Sequence, residues 1–286
     1  MGSEMCIRDS YIDRIHTSAF GAKVNAESAA DGIRAYEGLE LANYLKPIEK
    51  DTVTGSSRKD GRPVLFTIGD STVRNEDKDK NGMWGWGSVI ADEFNLNKIS
   101  VENRAMAGRS ARTFLDEGRW DKVYNALQPG DFVLIQFGHN DASIKKPDRY
   151  TSPEDYKKNL IKFVTEVKTK GATPILVTPV SRRKFKKGVF SDSHGVYPEI
   201  VKEVAQKENT LLIDLQAKSA DAISKQGDEK SKQWFNYVAA GTNPIVPDGK
   251  SDDTHFSETG AMKMASLVVE GVRELNLKGL VQNLKR

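Results

Sequence analysis

From Pro63 onward, short unbroken apolar runs alternate with stretches in which apolar residues recur every three or four positions. Val64-Leu65-Phe66-Thr67-Ile68 stops at Gly69. Phe132-Val133-Leu134-Ile135-Gln136-Phe137 stops at Gly138, and Pro174-Ile175-Leu176-Val177-Thr178-Pro179 follows the same plan. Leu211-Leu212-Ile213-Asp214 is a shorter run, and a weaker one lies near Ile99 to Glu102. Continuous apolar runs bounded by turn residues are what strands buried on both faces require.

The segments between them read as helices. Ser152-Pro153-Glu154-Asp155 combines an N-cap, a first-turn proline and first-turn acids, the usual start of a helix. Tyr156, Leu160, Phe163, Val164 and Val167 then recur at helical spacing before Gly171. A last helix is predicted from Ser257, with Ala261, Met264, Ala265, Val268, Val272 and Leu275 on one face. Strands alternating with amphipathic helices predict an α/β fold, a three-layer α/β/α sandwich around a parallel sheet. No internal repeat is visible.

Residues 1–60 break this rhythm. They are polar, hold no strong strand and end in a Gly/Ser-containing stretch, Thr52 to Arg62, that reads as a linker. A short helix is expected around Ala29 to Leu45. The organisation expected is therefore an extension at 1–60 and one domain at 61–286. Met1-Gly2-Ser3 resembles a cloning remnant, which leaves room for an export signal removed from the natural protein.

Composition narrows the classes. Lys plus Arg number 43 against 40 Asp plus Glu, a formal net charge of +3. That balance argues against nucleic acid or membrane partners. No apolar run approaches the length of a membrane span. The single cysteine, Cys6, allows no intrachain disulfide and no cysteine-based metal site.

Polar clusters stand at the carboxyl ends of the predicted strands, where open α/β sheets bind their ligands. They are Gly69-Asp70-Ser71-Thr72, Asn103 through Ser110, and Gly138-His139-Asn140-Asp141; Asp252-Asp253-Thr254-His255 precedes the last helix. Singly, each is ordinary turn or cap chemistry. Together they supply each role of an acyl-transfer site once. Ser71 is the candidate nucleophile, His255 its base, and Asp252 the orienter of His255. Asp252 is preferred to Asp253 because three residues of spacing let a carboxylate fold back onto the imidazole. The backbone N–H groups of Ser71 and Gly108, with the Asn140 amide, are the candidate oxyanion donors.

With these residues in place the chain resembles the SGNH, or GDSL-type, hydrolases, whose blocks carry Ser, Gly, Asn and His in the order Ser71, Gly108, Asn140, His255. More narrowly it is similar to the rhamnogalacturonan acetylesterase branch. That match rests on Ile68 through Val73, Gly85-Trp86-Gly87, Asn103-Arg104-Ala105 with Gly108 through Phe114, and Glu117-Gly118-Arg119-Trp120. Ile135 through Asp141 and Asp253 through Ala261 complete it. The resemblance covers roughly residues 63 to 280. It implies a flavodoxin-like sheet, removal of acetyl groups from pectic polysaccharide without metal or cofactor, and an exported enzyme, secreted or periplasmic. The expected partner is acetylated plant cell-wall polysaccharide, met by a monomer.

An acidic polymer would need cations and flat surfaces. Arg109, Arg112 and the run Arg182 to Lys187 are candidates, since arginine suits carboxylates; the run reads equally as a solvated loop. Thr72 and His194 are further candidate contacts. Trp84, Trp86 and Trp120 read either as sugar platforms or as core, and His139 as a structural partner. An acetylesterase on another polysaccharide such as xylan stands beside the pectic reading, and two rivals of other classes stand beside the esterase. Asp70, His139, Asn140, Asp141, Asp252 and His255 contain the donor types of a metal-dependent phosphoesterase, and a non-catalytic carbohydrate-binding module is the other.

Overall fold

The computed structural model describes residues 61–74 and 82–285. The extension at 1–60 and the helix expected at 29–45 lie outside the described residues. Five parallel strands form the main sheet: β1 (Val64–Gly69), β2 (Ser100–Asn103), β3 (Phe132–Gln136), β4 (Thr173–Val177) and, later in the chain, β7 (Leu211–Ile213). Their order is β2-β1-β3-β4-β7. Each expected run became a strand of this sheet, and the weak one became its edge.

The runs are unbroken because both faces of the sheet are covered. Val64, Phe66 and Ile68 of β1, with Val133, Ile135 and Leu176, face one core; Leu65, Leu134, Ile175 and Val177 face the other. The first core is closed by α1 (Ala111–Asp116), α2 (Arg119–Ala126), α3 (Pro153–Thr169) and α4 (Tyr197–Lys207). The second is closed by α5 (Leu215–Gln226) and, beyond the short α6 (Asp228–Ser231), by α7 (Glu258–Glu274) and α8 (Lys278–Val281). The layers are thus α/β/α.

Helix starts follow local chemistry. Ser152 accepts the N–H of Asp155 at the head of α3, and Pro153 occupies its first turn. Ser257 accepts the N–H of Gly260 at the head of α7, and Asp214 that of Ala217 at α5. Side-chain oxygens at these positions satisfy N–H groups that have no partner inside the helix.

Two hairpins lie outside the main sheet. β5 (Phe185–Lys186) pairs with β6 (Val189–Phe190), so the basic run after β4 is partly a turn of sheet. The larger pairs β8 (Phe235–Val238) with β9 (Lys250–Phe256), irregular between Phe235 and Asn236. The pattern along the chain did not show β9, because Lys250-Ser251-Asp252-Asp253-Thr254-His255 contains no apolar residue and Asp is a poor strand former. It is anchored at its end, where Phe256 and Phe235 are buried with ring centroids 5.4 Å apart.

The sheet order changes direction at β1: the chain moves to β2 on one side and to β3 on the other. Loops leaving the carboxyl ends of β1 and β3 therefore diverge and leave a crevice.

Candidate active site

Strand β1 ends in the turn carrying Ser71. The N–H groups of Val73 and Arg74 both donate to the Asp70 carbonyl, at 3.1 and 3.0 Å. Gly69 is required here by space, since a Cβ would strike the Gln136 carbonyl and approach the Val73 side chain to 2.7 Å. The loop after β2 is laced to the same turn. Arg104 N–H donates to the Thr67 carbonyl at 2.8 Å, Met106 N–H to that of Gly69 at 3.0 Å, and the Asn103 amide to that of Val73 at 2.5 Å.

Strand β9 brings the candidate base. His255 Nε2 lies 2.9 Å from Ser71 Oγ, across 184 residues of sequence. Its Nδ1 lies 2.8 Å from Asp252 Oδ2, and Asp252 Oδ1 accepts the N–H groups of Thr254 and His255 at 2.9 and 3.0 Å. Burial pushes the Asp252 carboxyl up, but the bonds from His255 and the backbone outweigh it and hold the group well below the usual carboxylate range. A permanently ionised carboxylate at Nδ1 fixes the imidazole so that Nε2 faces the serine as an acceptor.

Asp253 points elsewhere. It accepts from Arg183 at 2.6 Å and from the Tyr237 hydroxyl at 2.5 Å. Arg183 is buried and also binds Asp228 through its carbonyl, at 2.8 Å, and its carboxylate. One arginine of the basic run thus ties the β8–β9 hairpin to α6.

Among the described residues, neither the N–H of Ser71 nor that of Gly108 has a hydrogen-bond partner, so both are spare donors. Gly108 has φ +77°, a left-handed conformation that favours glycine. The Asn140 amide gives one N–H to the Arg109 carbonyl at 2.9 Å and keeps its second, while its Oδ1 lies 3.4 Å from Arg149 Nη1.

Beneath the serine is a buried polar network. Asp70 Oδ1 accepts the Thr72 hydroxyl at 2.8 Å and its N–H at 2.9 Å. Gln136 Nε2 donates to Thr72 Oγ1 at 2.7 Å, and Trp86 Nε1 donates to Gln136 Oε1 at 2.9 Å. Asp70 Oδ2 is 3.3 Å from His139 Nδ1, and the His139 ring meets His194 edge-on with centroids 4.5 Å apart. Burial drives His139 down to about 4 despite Asp70, so it is neutral at neutral pH.

Depth and local bonding set the expected substrate contacts apart. Thr72 is fully buried and His194 is 1% exposed, its Nδ1 on Asp192 at 3.2 Å; neither can touch a ligand. Trp86 and Trp120 are core, while Trp84 is half-buried and bridges to Phe256. Arg182 gives its guanidinium to the His139 carbonyl at 3.1 Å. Arg109 is held by Glu117 at 3.0 Å, and Arg112 by the carbonyls of Pro147, Asp148 and Tyr150 at 3.0–3.3 Å. Sequence reading gave no role to Arg149, which no motif marks, nor to the side chains of Asn103 and Gln136, which lie inside matched motifs.

The donors of the metal reading do not converge. Asp70 is taken by Thr72 and His139, and Asp252 by His255. Asp141 accepts the N–H groups of Ala111 and Gly138, at 2.9 and 3.0 Å, and so anchors the start of α1. Among the described residues no group of three or more such side chains is placed to hold a metal ion.

Residues 67–263 match the profile of the GDSL-like lipase/acylhydrolase family. The chain belongs to that family. This esterase is 40% identical over 218 residues to the rhamnogalacturonan acetylesterase RhgT of Bacillus subtilis, covering 76% of this chain and 92% of that one. It is 38% identical over 214 residues to the probable rhamnogalacturonan acetylesterase YesY of the same organism, covering 74% and 94%. The crystal structure of Axe2, an acetylxylan esterase from Geobacillus stearothermophilus, superposes with a TM-score of 0.54 at 20% identity, covering 73% and 94%, which is a likeness of fold. The family and the relatives make this chain a carboxylic ester hydrolase with the flavodoxin-like sheet expected of an SGNH hydrolase.

Proposed function

We propose that this esterase removes acetyl groups from acetylated pectic polysaccharide through an acyl-enzyme on Ser71. The observation that carries the mechanism is the continuous relay from Asp252 through His255 to Ser71, at 2.8 and 2.9 Å. In this reading Ser71 Oγ attacks the acetyl carbonyl while Nε2 takes its proton. The carbonyl oxygen becomes an oxyanion that the N–H groups of Ser71 and Gly108 and the spare Asn140 N–H can hold. His255 then returns the proton to the departing sugar oxygen. Water, activated by the same imidazole, attacks the acetyl-serine and releases acetate.

The acetyl and pectic parts of the reading are supported by the two relatives at 38% and 40% identity, both named for rhamnogalacturonan acetylesterase activity. A polymer of this kind is met outside the cytoplasm, so export belongs to the same proposal.

Acetate release from acetylated rhamnogalacturonan, homogalacturonan and xylan, with Ser71→Ala as control, tests it. Release from the pectic polymers, unaffected by EDTA and abolished in the variant, is the expected result. Preference for xylan would overturn the substrate, and loss of activity in EDTA restored by added metal would overturn the serine mechanism.

A further inference from the structure

We propose that Arg149 is the residue that reads a substrate carboxylate beside the scissile ester, making the site selective for acetylated uronate chains. The proposal rests on the pectic reading above and assigns its charge recognition to one side chain.

Arg149 borders the spare donors from the outside. Its Nη1 is 3.4 Å from Asn140 Oδ1 and 3.5 Å from where a Cβ on Gly108 would stand. A substrate whose acetyl carbonyl occupies the donors of Gly108 and Asn140 therefore lays its sugar against this guanidinium. The group is 29% exposed. Among the described residues its one carboxylate partner is Asp148, 66% exposed, adjacent in sequence and 3.2 Å from Nε. An exposed pair of this kind is worth about 0–1 kcal/mol, little to displace.

Three neighbouring arginines are committed elsewhere. Arg109 is bound to Glu117 and the Ala107 carbonyl, and Arg182 to the His139 carbonyl. Arg112 binds the carbonyls of Pro147, Asp148 and Tyr150, so it grips the segment that carries Arg149 from both sides. Within that segment the N–H groups of Arg149 and Tyr150 both return to the Lys146 carbonyl, and Thr151 N–H to that of Asp141. The guanidinium is thus presented on a braced turn, as recognition of a planar carboxylate by a two-pronged donor requires.

The same contact bears on Asn140. With Oδ1 facing Arg149, the amide N–H groups are turned the other way. A purely positioning role for Arg149 would act on every ester alike, whereas carboxylate reading acts only on charged ones.

The experiment uses the full chain and the variants Arg149→Gln and Arg149→Lys. It compares kcat/KM on acetylated polygalacturonate with free carboxylates and on its methyl-esterified form. Competitive inhibition of p-nitrophenyl acetate hydrolysis by unacetylated oligogalacturonate is measured beside it. Arg149→Gln is expected to lower the free-acid to methyl-ester ratio about tenfold, mainly through KM, the size of one lost charge-assisted hydrogen bond. It should weaken the inhibition by a similar factor, and Arg149→Lys should restore part of both. An unchanged ratio with equal losses on both polymers would assign Arg149 to positioning Asn140 and overturn the proposal. If the wild type deacetylates neither pectic polymer, the proposed substrate fails, and the inhibition arm decides the inference. Inhibition weakened by Arg149→Gln then supports a carboxylate-reading site, and absent or unchanged inhibition overturns it.

Discussion

Asp252 holds His255 at two points, accepting its backbone N–H at 3.0 Å with one oxygen and facing its Nδ1 at 2.8 Å with the other. The backbone bond fixes where the histidine stands, and the side-chain bond fixes how its ring is turned. One carboxylate thereby sets both position and tautomer of the base.

This separates Asp252 from its neighbour. Ser71→Ala and His255→Ala should each lower kcat on p-nitrophenyl acetate roughly a million-fold, and Asp252→Ala about 10⁴-fold, the ordering found where the orienter does not itself attack. Asp253→Ala should leave kcat within a few-fold. It should instead cost about 1–3 kcal/mol in urea unfolding, because buried Arg183 loses one of its acceptors. Full turnover in the Asp252 variant would refute its role.

Thr72 offers a second contrast. Its hydroxyl joins Asp70 to Gln136 and is fully buried. Thr72→Val should destabilise by about 1–3 kcal/mol, because both partners are left short of a bond in a dry site. KM for a polymeric substrate should stay near the wild-type value; a large rise in KM with unchanged stability would show a substrate contact after all.

His139 makes stability depend on pH. In the unfolded chain its imidazole protonates near 6.5, but burial, helped by His194 and Arg182 and opposed by Asp70, lowers it to about 4 in the fold. Between these values the unfolded state binds the extra proton, so stability falls as pH drops through the window and is complete above 6.5. A depression of this size corresponds to about 3 kcal/mol. His194, also pushed down by burial, acts with the same sign. Asp141, pushed up by burial to about 7, acts with the opposite sign over the same window. Urea unfolding at about pH 4.5 and pH 7 should therefore show a smaller low-pH loss in His139→Phe than in the wild type, and that difference reads His139 alone.

Gly87 tests the support of the nucleophile turn. A Cβ there would run into the Val73 carbonyl and the Asn103 amide, the two ends of a 2.5 Å hydrogen bond. Gly87→Ala should therefore cost about 1–3 kcal/mol by overpacking. It should also reduce kcat, since Ser71 sits two residues from Val73. Wild-type kcat and melting temperature would show that the bond does not brace the turn.

What the sequence revealed follows from what each kind of pattern encodes. The strands were legible because alternate residues serve opposite cores, so Val64, Phe66 and Ile68 and their neighbour Leu65 must all be apolar. The residues of the relay were legible because a serine, a histidine and a carboxylate at element ends leave few other combinations. Depth was not legible. Thr72 and His194 are polar residues beside a site, and only the packing of Trp86, Gln136 and His139 around them shows that they serve the scaffold. Nor was Arg149, whose approach to Asn140 comes from the turn through Lys146, held by Arg112. Strand β9 escaped because it has no apolar alternation; its order rests on its partner strand, on Phe256 at its end and on the polar bonds of Asp252 and Asp253.

That strand has a consequence for how the enzyme fails. His255 and Asp252 ride on a two-stranded ribbon, while Ser71 sits at the end of a five-stranded sheet packed on both faces. A two-stranded ribbon, even one anchored at its end, opens more readily than a doubly covered sheet. On heating, hydrolysis should fade by unzipping at β8–β9 while the helical layers stay folded, and amide exchange should be faster at Ser251 and Asp253 than along β1 and β3. Turnover would then report the opening of one hairpin, a local clock inside a molecule whose bulk melts later.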